Sequence, residues 1–576
     1  MADRHTPAAT PPDSTAAATA PGGGASSAGE PTGTGRRTLL RAGTGALAAA
    51  WLAACTPGSG GRTATGSPGA DTVPGTAGTP LTSSPAGRPV TATSAAPSPT
   101  AVRPSDWTAL SRDLHGTLIR PGDSRYATAR ESFQPRYDTA HPSGVAYVAT
   151  PQDVATCLAF ARRYRVPVAV RSGGHSYAGW STTSGLLVDV SRLNSVTTAR
   201  GAASVGSGAR LVDVYAGLAA HGTTIPAGSC PTVGVAGLTL GGGVGVTSRA
   251  YGLTSDSLTS AQIVTADGRI RTVDTKHDAD LFWALRGGGG GNFGVVTRFD
   301  FRTHAAPDCS YAFLYWPWRQ AAAVLRGWQS WAPTAADPYW SSMHLTADHT
   351  GPQRVGMTIV HLGSASSLQN EIDRLTGIIG AAPATSVLRS RSYMDTMLAM
   401  AGTLGWTVAQ CHLPGTLPGR QPSGKVVRES YGARSDFYTR RLTDAGISTL
   451  LAGVERYSRT VPAGGSCAVA LDAVGGAVNR VRPQDTAFVH RDGLFLAQYI
   501  ANWPNGATVA RHQAWLDSVW QSMRPYASGQ AYQNYLDPRL TDWQQAYYGA
   551  NLARLRRVKA AYDPGRLFSF PQAVPS

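Results

Sequence analysis

Glycine dominates three segments of this chain, and they constrain its fold more than any other feature. They are Arg171-Ser172-Gly173-Gly174-His175-Ser176-Tyr177-Ala178-Gly179, the run from Gly228 to Gly245, and the run from Leu285 to Thr297. A backbone without Cβ atoms can approach another backbone or a ligand closely and aim its N–H groups at phosphate. The first segment follows a strand-like run, Val166–Val170, and carries His175. That histidine could be a base, a metal ligand, a covalent attachment point or part of a structural turn. The second carries Cys230 ahead of Pro231-Thr232-Val233-Gly234, where a buried cysteine could equally be a small hydrophobe. The third contains Gly289-x-Gly291-x-x-Gly294, a formal dinucleotide fingerprint. That fingerprint needs a strand before it and a helix after. Here a helix-like Asp278–Leu285 precedes and a strand-like Val295–Phe301 follows, so NAD binding is rejected.

The chain divides by composition. Residues 1–35 are Ala, Gly, Pro, Ser and Thr with few large apolar side chains, so they are expected to be disordered. Residues 36–55 pair Arg36-Arg37 with a small-residue apolar run, Ala42–Ala54, too short for a membrane span. The twin arginines resemble a Tat export signal, and Leu52-Ala53-Ala54-Cys55 resembles a lipobox that would leave a lipidated Cys55. The expected location is therefore extracellular or on the outer face of a bacterial membrane, with membrane contact only through that anchor. Residues 56–104 read as a flexible Thr/Ser/Pro/Gly-rich linker. The net charge of +16 comes almost entirely from arginine, and only Lys276, Lys425 and Lys559 are lysines. No dense basic run accompanies it, so a solvated surface explains the charge and no nucleic-acid partner is expected. Beyond the signal remain Cys157, Cys230, Cys309, Cys411 and Cys467, an odd number that leaves at least one outside intramolecular disulfides.

From about Trp107 the sequence is globular and α+β. Strand-like runs at Gly144–Ala149, Leu186–Val190, Ala202–Val205 and Gln262–Thr265 alternate with helical periodicity at Pro151–Tyr164 and Leu211–His221. Ala266-Asp267-Gly268-Arg269 reads as a hairpin turn. Strands are expected at Tyr311–Trp316 and Arg354–Leu362. Helices are expected at Gln320–Trp331, Ser367–Gly377, Ser435–Ala452 and Trp543–Ala561.

Near the C-terminus, Tyr532-Gln533-Asn534-Tyr535 gathers phenols and an amide that could hold a substrate hydroxyl and take its proton. A phenol titrates near ~10, so that role needs the tyrosinate stabilised; aromatic packing is the plain alternative. Gln498 sits in a strand pattern where it could bind substrate or fill the sheet.

These motifs, in this order and spacing, resemble the vanillyl-alcohol-oxidase (PCMH-type) FAD-binding proteins, and within them the berberine-bridge-enzyme-like oxidases, over about residues 105–576. The resemblance implies a two-part FAD-binding domain at 105–304 (core about 138–306) and 503–576, around an α+β substrate domain at 305–502 whose sheet roofs the flavin. It implies FAD held covalently, by His175 at the 8α-methyl carbon and by Cys230 at C6. Loop residues Arg171, Ser172, Gly173, Gly174, Ser176, Gly179, Gly234, Gly237, Gly241, Gly242, Gly245, Asn292, Gly294 and Val295 would contact the cofactor, as would Asn534 and Asn551. Tyr535 would be the base, with Tyr532 second and Gln498 beside the substrate. Val233 favours access of oxygen, whereas Val244 departs from the tyrosine of the plant monolignol-oxidising members. The expected reaction takes hydride from a hydroxyl or hemiacetal carbon of a sugar or secondary metabolite and passes the electrons to dioxygen, giving hydrogen peroxide. Its rivals are a dehydrogenase with another acceptor and a non-catalytic surface binding lipoprotein. A cysteine hydrolase built on Cys230 lacks a helix-borne nucleophile.

Overall fold

Pro151, fixed in φ and lacking an N–H, opens a helix that runs to Tyr164. Thr150 caps it by accepting the Asp153 N–H at 3.1 Å, and Arg165 ends it in the left-handed region. The computed structural model describes residues 101–576 apart from 350, 462–463 and 506–508, so the signal, lipobox and linker readings lie almost wholly outside the described residues. The helix crosses over between parallel strands, and β1 (Thr117–Ile119), β2 (Gly144–Tyr147), β3 (Val168–Arg171) and β4 (Leu186–Asp189) form a sheet in the order β1-β2-β4-β3. A second, antiparallel sheet joins β5 (Val196–Ala199), β6 (Ala202–Gly206), β8 (Leu258–Val264), β9 (Ile270–Val273) and β10 (Val295–Arg302) in the order β5-β6-β10-β8-β9. The expected Asp-Gly turn joins β8 to β9, with Gly268 at φ 86°. A short ribbon pairs β7 (Thr223–Thr224) with β11 (His304–Ala305).

The third sheet has seven antiparallel strands. They are β12 (Cys309–Trp316), β13 (Tyr339–Asp348), β14 (Arg354–His361), β15 (Thr385–Arg391), β16 (Ser430–Tyr438), β17 (Ser466–Ala473) and β18 (Phe495–Trp503), ordered β15-β12-β14-β13-β17-β18-β16. Strand periodicity gives it two unlike faces. From β18, Phe495, Ala497, Tyr499, Ala501 and Trp503 pack under helices Ala321–Trp331, Ala365–Ile379, Asp444–Thr460 and Val509–Met523. The intervening Gln498 and Ile500 face a cavity. The fold is α+β, as the alternation of strand and helix patterns predicts.

Two helix expectations need correction. Of the expected Ser435–Ala452 helix, Ser435–Tyr438 end strand β16, which is buried along its whole length, residues 439–443 connect, and the helix begins only at Asp444, capped by Thr443. The strand is buried on both faces yet carries Arg434, Ser435 and Asp436, whose charges are paired with Asp537 and Arg524, so no apolar alternation marks it. The expected Trp543–Ala561 helix is two, Trp543–Tyr548 and Leu552–Tyr562, separated at Gly549, whose φ is 45°.

Candidate active site

Two of the glycine-rich loops are built against each other. A Cβ on Gly173 would lie 2.2 Å from the Gly234 nitrogen, and one on Gly234 would lie 2.1 Å from Ser172 Oγ. Only glycine permits that approach, and it brings His175 and Cys230 to the wall of one cavity of about 1160 Å³. The third loop closes another side through Gly289–Asn292. It is fastened from the C-terminus: Lys559 Nζ donates to the Asn292 carbonyl and the Phe568 carbonyl, both at 2.7 Å, and pairs with Asp563 at 2.6 Å. Tyr548 Oη donates to the Gly288 carbonyl at 3.1 Å. Sheet three roofs the cavity.

Of the residues singled out from sequence, Ser172, Gly173, Gly174, His175, Ser176, Cys230, Val233, Gly234, Gly237, Gly245, Asn292, Gly294 and Asn534 line the cavity, together with Gln498, Tyr532 and Tyr535. Six others do not. Arg171 turns behind the loop, where it is buried against Asp189 and donates to the Ala129 and Glu131 carbonyls. Gly179 makes room for Tyr137, Gly242 for Phe488, and Gly241 for the Asn534 amide, which a Cβ would meet at 1.9 Å. Val295 is fully buried in β10. Asn551 donates to the Pro483 and Thr486 carbonyls at 2.7 and 3.1 Å. These positions shape the walls by packing, which a motif string does not distinguish from contact.

Cys230 is disulfide-bonded in this structure. Among the described residues, Cys157, Cys309, Cys411 and Cys467 are buried thiols. A sulfur in a disulfide cannot also carry a thioether to a cofactor. His175 stacks on Phe133 with ring centroids 3.8 Å apart, and its Nε2 lies 2.9 Å from Thr232 Oγ1. Burial, helped by the Arg210 charge, pushes the imidazole down to about 3, so it is neutral at physiological pH.

The tyrosine end of the cavity has a clear division of labour. Tyr532 Oη accepts the Gly243 and Val244 N–H groups at 3.0 and 3.1 Å and the Asn534 amide at 2.9 Å, so it pins the second glycine loop. Tyr535 stacks on Tyr177 with centroids 5.3 Å apart and planes 9° from parallel. Tyr177 in turn accepts Gln498 Nε2 at 2.8 Å. From the roof, Asp472 pairs across the strands with Ser342, whose Oγ shares a 2.9 Å hydrogen bond with His344 Nε2; all three side chains line the cavity. Burial lifts the Asp472 carboxyl to about 6, against a smaller opposing effect of a Ser342 hydrogen bond. Burial, with smaller contributions from Tyr177 and Asp472, holds Tyr535 well above the ordinary phenol range. Tyr535 by itself is therefore a poor base, and a negative Asp472 makes its phenolate harder still to form, while Asp472 is itself ionised at neutral pH.

Sequence reasoning missed Asp472, Ser342, His344 and Thr232 and passed over Tyr177, although it lies inside the first motif. One signal was available: Asp472 is the lone charge in the apolar run Cys467–Val474, and a carboxylate buried in a strand has a task or a partner.

The cavity suits a flavin dinucleotide by its chemistry. Its size exceeds the roughly 300–1,000 Å³ of a site for one drug-sized ligand. Its middle is glycine backbone, and the buried Ser181 and Thr182 hydroxyls on its lining have no protein partner among the described residues. Arg162, Arg165, Arg271 and Arg566 also stand on the lining, cations that suit an anionic ligand.

Comparison with known proteins agrees. Residues 142–274 match the FAD binding domain family, and residues 531–575 match the berberine and berberine-like family. The FAD-linked oxidoreductase YgaK of Bacillus subtilis is 32% identical over 471 residues, 80% of this chain and 97% of its own length. The chitooligosaccharide oxidase of Gibberella zeae is 29% identical over 459 residues, 75% of this chain and 87% of its own. Among solved structures, Physcomitrella patens BBE-like 1 superposes with a TM-score of 0.73 at 29% identity, covering 82% of this chain and 99% of its own.

Proposed function

Because the chain belongs to the berberine-bridge-like FAD-linked oxidoreductases, we propose that it is an oxidase of sugar or oligosaccharide hydroxyl or hemiacetal carbons, with a secondary metabolite as the alternative substrate class and dioxygen as electron acceptor. The observation that carries this reading is the meeting of Tyr535, Asp472, Tyr177 and Gln498 at the end of the cavity that His175 and Cys230 also line. A flavin bound there supplies the hydride acceptor. The protein does the rest. Tyr535 Oη relays the substrate hydroxyl proton toward Asp472, whose carboxyl is ionised at neutral pH. Gln498 fixes Tyr177, and Tyr177 fixes the plane of Tyr535. Asn292, Ser172 and the glycine loops hold the cofactor.

His175 provides the first covalent anchor, and Cys230 Sγ, in its thiol form, the second. Residues 105–304 and 503–576 make up the cofactor-binding part and 305–502 the substrate part. Export through the twin-arginine signal with a lipid on Cys55 rests on the sequence alone. The G. zeae relative is named for oligosaccharide oxidation, and the polar groups that the roof presents among apolar ones, Ser342, His344, Thr358, Asp472 and Gln498, support that class here.

The test is peroxide release from holoenzyme in air over a panel of mono- and oligosaccharides and phenolic metabolites, with Tyr535→Phe as control. Wild type should turn over at least one carbohydrate, and Y535F should lose about 10²–10⁴-fold. Reduced enzyme that stays reduced in air would refute the oxidase reading and leave the dehydrogenase.

A further inference from the structure

Thr232 has no place in the chemistry above, yet it makes the one hydrogen bond to the His175 ring among the described residues. The two side chains stand back to back. His175 is on the wall of the large cavity, while Thr232, 3% exposed, is on the wall of a small polar pocket behind it, of about 30 Å³. Arg210 shares that pocket and is tied to the Gly208 carbonyl at 2.8 Å and to Ser191 Oγ at 3.0 Å. The contact at 2.9 Å uses Nε2, and Phe133 stacked on the ring prevents it from swinging away. Nδ1 makes no hydrogen bond among the described residues.

A neutral imidazole has one N–H and one lone pair, and a hydrogen bond at one nitrogen decides which nitrogen is the nucleophile. If Nε2 carries the proton and donates it to the threonine oxygen, Nδ1 carries the lone pair. The opposite tautomer would present an N–H, which cannot attack carbon.

We propose that Thr232 is a positioning residue for covalent flavin attachment: its hydroxyl oxygen accepts the Nε2–H of His175 and leaves the Nδ1 lone pair to bond the flavin 8α-methyl carbon. This rests on the FAD reading above. In the step, the Nδ1–C8α bond forms as the methyl group gives up one proton. The electron pair of the broken C–H bond passes into the ring system. The methyl proton and the proton from Nε2 both end on the flavin, which is left reduced by two electrons. Dioxygen then takes those two electrons and two protons as hydrogen peroxide. The Thr232 oxygen is placed to stabilise the charge that develops on the imidazole as the bond forms. Burial, with the Arg210 charge adding to it, opposes protonation before the step, so the ring enters it neutral.

The experiment follows attachment itself. In a Cys230→Ala background, where His175 is the sole anchor, the chain and its Thr232→Ser, Thr232→Val and Thr232→Ala variants are purified and incubated with FAD in air. Acid-quenched digests are then assayed by mass spectrometry for the His175 peptide with and without flavin. Bound but extractable flavin reports that a variant folds and fills its cavity. The expected result is attachment within about twofold of the parent in T232S, and attachment slowed about tenfold or more in whichever of T232V and T232A retains extractable flavin, the loss of one charge-assisted hydrogen bond. Equal attachment rates in the parent, T232V and T232A, or failure of T232S to recover the parent's rate, would overturn the role of Thr232. A parent whose His175 peptide never carries flavin would instead overturn the covalent reading on which the inference rests.

Discussion

Replacing Asp472 by Asn separates what this carboxylate does for chemistry from what it does to stability. Burial raises its folded-state pKa to about 6 from the ordinary 3.8. The folded chain therefore binds this proton more tightly than the unfolded chain. Stability from this group is full below about pH 3.8, declines as pH rises toward 6, and stays at its low plateau above. The difference amounts to at most about 3 kcal/mol, less to the extent that cavity solvent reaches the carboxylate. Asparagine keeps the shape without the charge. In a domain of this size D472N should melt about 3 °C higher than wild type at pH 8, and the two should converge at pH 4. Turnover should move the other way: kcat should fall about 10²–10⁴-fold, and the rise of wild-type activity with pH through about 6 should vanish. The assays are thermal melts of both holoenzymes from pH 4 to pH 8 and peroxide release across the same range. A melting difference independent of pH, or a D472N profile that keeps the wild-type limb, would refute the assignment of that limb to Asp472.

Other perturbations reach the remaining parts of the site. Lys559→Met strands Asp563, which is fully buried and also accepts the Leu567 and Phe568 N–H groups; it should destabilise by about 3–5 kcal/mol and lower flavin content, read by melting and by the ratio of flavin to protein absorbance. Gly173→Ala forces a Cβ against the Gly234 backbone and should yield folded protein depleted of flavin, whereas full occupancy would show that the loops can part. Cys230→Ala should leave flavin covalently bound through His175 but with a shifted absorption spectrum and a lower potential; a spectrum identical to wild type would remove Cys230 from the cofactor.

Much of the fold was legible in the sequence because its signals are local. The capped helix at Pro151–Tyr164, the Asp-Gly hairpin and the strand at Val295 each declare themselves within a few residues. Strand β16 was not legible, because it is buried on both faces while carrying Arg434, Ser435 and Asp436, and only distant partners make such a strand tolerable. The glycine loops likewise announced that some backbone must come close to something. The sequence could not say which glycine faces a ligand and which faces Asn534, Phe488 or Tyr137, since both uses demand the same missing Cβ.

The sequence by itself determined the cofactor class, through three loops whose order and spacing match a flavin-binding family, and it singled out His175 and Cys230, which line one cavity. Only the tertiary structure decided which groups surround Tyr535. Tyr535 stands within the influence of Asp472 because the roof sheet carries residue 472 to a cavity wall that the C-terminal segment reaches from the other side. Only folding decided, too, that Thr232 lies behind His175, although 57 residues separate them. Proton affinity and tautomer depend on burial and on neighbours distant in sequence, and those are fixed only when the chain has closed around the cavity.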